Sequence, residues 1–445
     1  MVKKKSILVV IILLCLVLQL YTINKSSFWF DEVASSIDAR EPLKKILFDP
    51  NWKDQVPLYR VVLHIWIKLF GEDELTLRLF SVMFGIITIL MTYKLAKVMF
   101  NIKTGLIASF LMSINLFFIS HAQEARKYTL FIAISLCTLL LVFRILNPEN
   151  KHRRKDWIMF TLFSILNLYI HLFSLFLLIS EIIFLALNIN KKELKSLIAS
   201  CIIIPLLFLP IVLKIFLSIS FREEFHPDLG IAVSVFDYLK SIFFGFSGSQ
   251  FLFVVFFLLI IVSISSLHKN KRKLLAFFLI ITTLPLIIVY LLKNIIMDIQ
   301  VRHFIFLLPI IMIYVAYGIT RLKNKVLISS SLALIIILSL MPLNNYYNRQ
   351  RLEWDTATQY IESNFIDEDI ILVSWWTKDI IRYYTDLPYK PIEERLNQHA
   401  KRVWVLYRDR YPTSYETKEL INKLRNEVLM DKKFGDINVY LISNP

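Results

Sequence analysis

Residues 251–290, FLFVVFFLLIIVSISSLHKNKRKLLAFFLIITTLPLIIVY, decide the fold class. Two apolar runs flank a basic tuft at 269–273, and each run is long enough to cross the roughly 30 Å hydrocarbon layer of a bilayer as a helix. Positive residues stay on the cytoplasmic side of a membrane during insertion. This stretch therefore predicts two membrane-spanning helices joined by a cytoplasmic turn.

The composition extends this prediction to the whole chain. The 445 residues are 56% hydrophobic and 19% charged, and they include 35 Phe but only 8 Gly. A soluble domain is about 45–50% apolar and about 25% charged, so an ordinary soluble enzyme is excluded. Low glycine and the lack of alternating hydrophobicity exclude a transmembrane barrel. The predicted fold class is a polytopic α-helical membrane protein.

The net charge of +16 lies in short basic tufts between the apolar runs. This placement is typical of cytoplasmic turns and not of a nucleic-acid-binding surface, so no nucleic-acid partner is expected. With the tufts inside, the sequence predicts a multi-pass protein of the cell membrane with a cytoplasmic N-terminus and about 11 spans. They cover residues 6–24, 75–97, 104–120, 128–146, 157–170, 172–189, 196–218, 250–267, 274–292, 303–320 and 325–342.

Two of these assignments have alternatives. Residues 1–24 could be a cleaved signal peptide, but the run is long and lacks a small-residue exit, which favours a retained anchor. The apolar stretch 157–187 is too long for one straight span, so we divide it near His171. A single span there would reverse the orientation of every later segment.

Segments outside the spans define the expected domains. Residues 1–343 form a transmembrane domain, in which 25–74 is a first outer loop with short interfacial helices and 219–249 is an outer, lid-like loop. An odd number of spans puts residues 344–445 outside the cytoplasm. Strand patterns at 370–374, 403–407 and 437–441 alternate there with helical patterns at 355–364, 377–385 and 415–430, which predicts a small α/β domain.

Polar residues that could carry chemistry gather on the predicted outer side. Asp31 and Glu32 follow the first span, and a carboxylate at such a place can act as a general base. The alternative is an acidic turn at the membrane interface. Arg126, Lys127, Arg302 and His303 lie in two outer turns, against the positive-inside bias, which predicts an anionic partner such as a phosphate. Arg126 could instead pair with Glu124.

The order of the motifs resembles the GT-C superfamily of integral-membrane glycosyltransferases, in the branch of protein O-mannosyltransferases and lipid A aminoarabinose transferase, a family 39-like pattern. The resemblance covers about residues 1–345 in layout. It rests on these motifs in chain order: Asp31-Glu32, Pro57-Leu58-Tyr59, Arg78, Gln123-x-x-Arg126-x-Tyr128, Arg302-His303-Phe304 and Pro309.

That resemblance implies transfer of a sugar from a polyprenyl-phosphate-linked donor to a hydroxyl of a lipid, glycan or protein acceptor at the outer face of the membrane. It implies that Asp31 is the catalytic base with Glu32 beside it. It implies that the donor phosphate is bound by Arg126, Lys127, Arg302, His303 and Arg78. It further implies that Tyr59, Gln123 and Tyr128 contact substrate. No cofactor is required, although some relatives use a divalent cation, Mg²⁺ or Mn²⁺.

Two departures from the family pattern affect the first outer loop. Gln55-Val56 stands where many members carry a basic or His-Pro pair, and Val33-Ala34-Ser35 stands where aminoarabinose transferases have an arginine. Both departures weigh against aminoarabinose as the sugar, and Lys53 is a candidate replacement for the missing basic residue.

A transporter or flippase of a lipid-linked sugar is the rival function. Transporters place ionisable residues near the bilayer midplane and along both sides of a pathway. Here the notable charges cluster on one face, and Glu181 and Lys214, the main ionisable residues within spans, are expected near span ends. The pattern therefore favours an enzyme.

Overall fold

The computed structural model describes residues 2–49, 56–219, 234–293, 299–349, 351–373, 375–391, 402–408 and 427–443. Lys53, Gln55 and residues 220–233 of the predicted lid-like loop at 219–249 lie outside them. In chain order the helices are α1 (Val2–Leu20), α2 (Phe30–Arg40), α3 (Leu43–Phe48), α4 (Leu58–Phe70), α5 (Glu74–Met99), α6 (Ile102–Ser113), α7 (Leu116–Ala122), α8 (Tyr128–Ile145), α9 (Arg153–Ile170), α10 (Ser174–Ala186), α11 (Leu194–Ile219), α12 (Val235–Ser247), α13 (Gln250–Asn270), α14 (Arg272–Leu291), α15 (Leu308–Arg321), α16 (Lys325–Tyr347), α17 (Trp354–Asn364) and α18 (Trp375–Tyr384).

Helices occupy every segment that the sequence predicted as a span. Within the described residues, seven helices are long and apolar enough to cross a membrane, or eight if the bent pair α6 and α7 forms one span. The chain is thus a multi-pass membrane protein, whereas the count of eleven crossings stays a prediction. The division near His171 is confirmed, because α9 ends at Ile170 and α10 begins at Ser174.

The chain divides into two compact units. The first contains residues 1–21, 42–66 and 78–347, and the second contains residues 22–41, 67–77 and 348–445. The predicted boundary near residue 344 lies close to the start of the last segment. In addition, the second unit takes in α2, the helix that carries the two acidic residues.

The first unit is a helical bundle around α15, whose residues from Leu308 to Ile319 are all buried. A side chain at Gly318 would collide with the backbone of Leu259, so glycine lets α15 approach α13 closely. Glu181 differs from the expectation of a place near a span end. It is 1% exposed within α10 and accepts a 2.6 Å hydrogen bond from Thr138 Oγ1 of α8.

The second unit contains a five-stranded sheet in the order β2-β1-β3-β5-β4. Strand β1 is parallel to β2 and β3, whereas β5 is antiparallel to β3 and β4. The strands are β1 (Ile370–Val373), β2 (Tyr389–Pro391), β3 (Arg402–Arg408), β4 (Val428–Phe434) and β5 (Ile437–Ser443). The three predicted strands are confirmed as β1, β3 and β5. The predicted helix at 415–430 is wrong at 428–430, which belong to β4, and most of it lies outside the described residues.

Candidate functional site

Both acidic residues lie in the first turn of α2, in the second unit. A helix N-terminus carries partial positive charge, which favours carboxylates there. Glu32 is 2% exposed, and its Oε2 accepts the backbone N–H of Trp29 at 3.3 Å. Asp31 is half-buried, and its backbone carbonyl accepts a 2.8 Å hydrogen bond from Ser35 Oγ. The two neighbours therefore differ: Glu32 accepts a hydrogen bond at the start of the helix, and Asp31 is the less buried residue.

Two of the predicted cations of the first unit, Arg126 and Arg302, converge on the ring of Tyr128. This residue begins α8 and is 1% exposed. The guanidinium carbons of Arg126 and Arg302 each lie 5.9 Å from its ring centroid, although they come from different turns of the chain. Ser81 Oγ of α5 donates a 3.2 Å hydrogen bond to the backbone carbonyl of Arg126 and holds that turn. The fold thus brings together the two arginines that the sequence predicted as phosphate ligands.

Three histidines join this cluster. His303, which the sequence predicted, lies with its ring 5.4 Å from His171, and His171 stacks on Phe131 at 4.7 Å. The ring of His121 lies 5.0 Å from that of Tyr128. We call Arg126, Lys127, Tyr128, Arg302, His303, His121 and His171 the cationic cluster. The sequence alone did not predict His121 as a site residue, because its contact with Tyr128 depends on tertiary packing.

His171 adds hydrogen-bonding capacity more than charge. Burial lowers the pKa of His171 well below its usual value, and the nearby charges of Lys127, His303, Arg126 and Arg302 lower this pKa further. Its ring is therefore neutral near pH 7, and its Nδ1 accepts the backbone N–H of Phe173 at 3.2 Å. His171 thus lies at the junction between α9 and α10, and a functional contact by its ring stays a prediction.

A cavity of about 480 Å³ opens beside the cluster in the first unit. His121, Gln300 and Arg302 supply polar groups to its wall, and its apolar wall includes Phe117 and Phe304. An amphipathic cavity of this size accommodates a small ligand with one charged end.

Three further predicted residues, Tyr59, Arg78 and Gln123, are buried. Tyr59 of α4 is 3% exposed and packs edge-on against Phe80 at 5.9 Å, and Arg78 of α5 is also 3% exposed. The side-chain nitrogen of Gln123 donates to the backbone carbonyls of Gln19 and Tyr21, at 2.9 and 2.7 Å. The amide of Gln123 thus binds the backbone at the end of α1. Its role in substrate contact stays a prediction.

A divalent cation also stays a prediction. Among the residues that the structure describes, no three His, Cys, Asp or Glu side chains gather closely enough to hold a metal ion.

Part of the chain matches a model of a known protein family. Residues 54–213 match the family model described as dolichyl-phosphate-mannose-protein mannosyltransferase. An uncharacterized protein of Aquifex aeolicus (strain VF5) is 30% identical over 144 residues, in an alignment that covers 30% of this chain and 28% of that protein. The aligned part thus spans less than a third of that relative.

Solved structures share the fold over nearly the whole chain. ArnT from Cupriavidus metallidurans bound to undecaprenyl phosphate matches with a TM-score of 0.65 at 10% identity, over 98% of this chain and 99% of that chain. The Archaeoglobus fulgidus oligosaccharyltransferase AglB, in complex with an inhibitory peptide and a dolichol-phosphate, matches with a TM-score of 0.55 at 12% identity, over 90% and 69%. The family model and the shared fold together confirm the resemblance of this membrane protein to the GT-C superfamily of glycosyltransferases.

Proposed function

We propose that the protein transfers a sugar from a polyprenyl-phosphate-linked donor to an acceptor hydroxyl at the outer face of the membrane. The observation that carries this proposal is the convergence of Arg126 and Arg302 on Tyr128, each at 5.9 Å, beside an amphipathic cavity. Arginine offers a planar fork that matches phosphate oxygens. Fixed positive charge stabilises a phosphate as it leaves.

The surroundings of the two arginines also support a lipid carrier for the donor sugar. The cavity next to Arg302 has an apolar wall that includes Phe117 and Phe304, which suits the first isoprene units of a carrier whose phosphate meets the cations. Support also comes from the similar folds of ArnT, solved with undecaprenyl phosphate, and of AglB, solved with a dolichol-phosphate.

The proposed reaction is a displacement with inversion at the anomeric carbon. Asp31 takes the proton of the acceptor hydroxyl as the acceptor oxygen forms a bond to that carbon. The bond from the carbon to the phosphate oxygen breaks, and its electron pair stays on the phosphate. The cationic cluster balances the added negative charge, and the products are the glycosylated acceptor and polyprenyl phosphate.

Glu32 has a supporting part in this proposal. Its Oε2 accepts the N–H of Trp29, so in this proposal it holds the first turn of α2, which carries the base Asp31. The histidines of the cationic cluster donate or accept hydrogen bonds around the phosphate, since a neutral imidazole offers one N–H and one lone pair.

A deletion strain tests the function. Mass spectrometry of its envelope glycans and lipids should reveal one missing sugar, which the wild-type gene restores. Purified protein in detergent should then release polyprenyl phosphate when given lipid extracts of that strain and the acceptor fraction. A flippase moves its cargo without consuming it. If the donor stays intact after incubation with folded protein and acceptor, the proposal is overturned.

A further inference from the structure

The segment that leads into α2 is fixed by a closed set of hydrogen bonds within the second unit. The backbone N–H of Phe28 donates to the hydroxyl oxygen of Tyr384 at 2.7 Å and to Glu74 Oε1 at 3.3 Å. The hydroxyl of Tyr384 in turn donates to the same oxygen of Glu74. Tyr384 ends α18, and Glu74 begins α5. Three groups from distant parts of the sequence therefore meet two residues before α2 begins.

The preceding residue is held by α17. The backbone N–H of Ser27 donates to the carbonyl of Leu352 at 2.9 Å, and Ser27 Oγ donates to Asp355 Oδ1 at 2.5 Å. Ser27 is 4% exposed and Phe28 is fully buried. Buried hydrogen bonds are strong constraints on geometry, because breaking one leaves polar groups without water. The backbone before α2 is therefore fixed at two successive residues.

The far end of α2 touches the same helix, α18. The guanidinium of Arg40 lies 4.9 Å from the ring centroid of Tyr383. Its salt bridge to Glu72, at 3.1 Å, joins two exposed side chains and contributes little. Tyr383 thus contacts the last residue of α2 and also packs its ring against Phe28 at 5.7 Å, and Tyr384 binds the segment just before α2.

From this arrangement we infer that Tyr384 and Glu74 are positioning residues for Asp31, so that the C-terminal domain, through Tyr384, takes part in setting the geometry of sugar transfer. Asp31 follows Phe28 by three residues, and the direction of α2 at its first turn aims the carboxylate. A shift of about 1 Å in a reacting group can cost on the order of 100-fold in rate. The inference rests on the proposed function, in which Asp31 is the base.

The Tyr384 hydroxyl is suited to this task. Burial and the adjacent charge of Glu74 raise its pKa far above the usual value for tyrosine. The hydroxyl therefore keeps its proton at any physiological pH, and it can accept from the amide while donating to the carboxylate. Phenylalanine fills the same space without either bond.

The test compares Tyr384→Phe with a matched control, Tyr389→Phe, which removes a tyrosine hydroxyl on β2 of the same unit. For Tyr384→Phe we expect kcat of the folded protein to fall by about tenfold to 100-fold, with the KM for the donor close to wild type, whether or not the lost hydrogen bonds lower the thermal midpoint. Glu74→Gln keeps an acceptor for Tyr384 and should lose less activity. A merely structural role would lower the thermal midpoint and leave kcat of the folded protein unchanged.

Hydrogen exchange separates failure of this inference from failure of the proposed function. Peptides covering residues 28–33 should exchange faster in Tyr384→Phe than in wild type or Tyr389→Phe, whatever the reaction is. Unchanged exchange there would overturn the positioning role. Wild-type kcat for Tyr384→Phe alongside an inactive Asp31→Asn would also overturn it, because the base would then work without the hydroxyl.

Discussion

The hydroxyl of Tyr346 on α16 donates a 2.9 Å hydrogen bond to Oε1 of Gln123. The side-chain nitrogen of Gln123 donates hydrogen bonds to two backbone carbonyls at the end of α1, those of Gln19 and Tyr21. One amide therefore joins α1, α7 and α16 within the first unit. This use of both amide atoms makes Gln123 a stabilising residue.

Replacing Gln123 by alanine should destabilise the protein. The change leaves two buried carbonyls and one hydroxyl without their partner, and each unsatisfied buried group costs about 1–3 kcal/mol. Thermal unfolding in detergent should show a clearly lowered midpoint. Undecaprenyl phosphate should still bind the folded fraction. A normal midpoint combined with lost binding would instead favour the substrate contact that the family pattern implies.

Replacing Arg126 by lysine should weaken binding of undecaprenyl phosphate by at least about tenfold, because the planar fork is lost while the charge remains. Binding can be measured on the purified protein in detergent. Arg321→Lys is the matched control, since Arg321 ends α15 and donates to the Tyr317 hydroxyl at 2.7 Å. Full affinity in Arg126→Lys, or an equal loss in Glu124→Ala, would contradict the phosphate role.

Local patterns in the sequence were sufficient for elements whose stability is local. Apolar runs of the right length predicted the helices, and alternating or β-branched runs predicted β1, β3 and β5. Strand β4 was missed because Asp431, Lys432 and Lys433 give it a polar, helix-compatible composition. Its hydrogen bonds come from antiparallel pairing with β5, which local propensity does not encode.

The candidate site was predictable only in part, because local sequence patterns do not encode tertiary contacts. The two arginines could be proposed from their charge on outer turns, but their meeting at Tyr128 depends on tertiary packing. The inclusion of α2 in the second unit depends on Tyr384, which is distant in sequence. The hydrogen bond from Ser27 Oγ to Asp355 Oδ1 at the start of α17 likewise joins residues that are distant in sequence.

Stability of the second unit should depend on acid pH through Asp369. Burial would raise the pKa of this carboxyl, but hydrogen bonds from Arg402 and Trp404 outweigh burial and lower it. Arg402 Nε lies 2.9 Å from Oδ1, and Trp404 Nε1 lies 3.0 Å from Oδ2. Because the folded pKa lies below the unfolded value of about 3.9, the contribution is complete above that value and is lost as pH falls through the folded pKa.

The measurement follows hydrogen exchange of β1 and β3 in the intact protein between neutral pH and about pH 3, corrected for the intrinsic pH dependence of exchange. Wild type should lose protection towards the acid end. Asp369→Asn should be less protected at neutral pH and should show a weaker loss on acidification. The same acid-induced loss in both proteins would assign it to other groups.

The C-terminal domain should lie outside the cytoplasm. This prediction rests on the alternation of basic tufts between helices and on the odd number of predicted spans. A reporter that is active only in the cytoplasm, fused after Pro445, should give no signal, and one fused after α13 at its basic turn should give a strong signal. A strong signal from the first fusion would exclude both the eleven-span topology and an outward-facing site.

Replacing Asp31 by asparagine should abolish sugar transfer while leaving undecaprenyl phosphate binding intact. Asparagine keeps the size and the hydrogen bonds of the side chain but cannot take the acceptor proton, and general-base catalysis contributes about 10²–10⁴-fold. The loss should therefore appear in kcat. Glu32→Gln retains an oxygen for the Trp29 N–H, so it should keep most of its turnover. The opposite ranking would make Glu32 the base, and near-normal transfer by both variants would remove carboxylate catalysis by this pair from the mechanism.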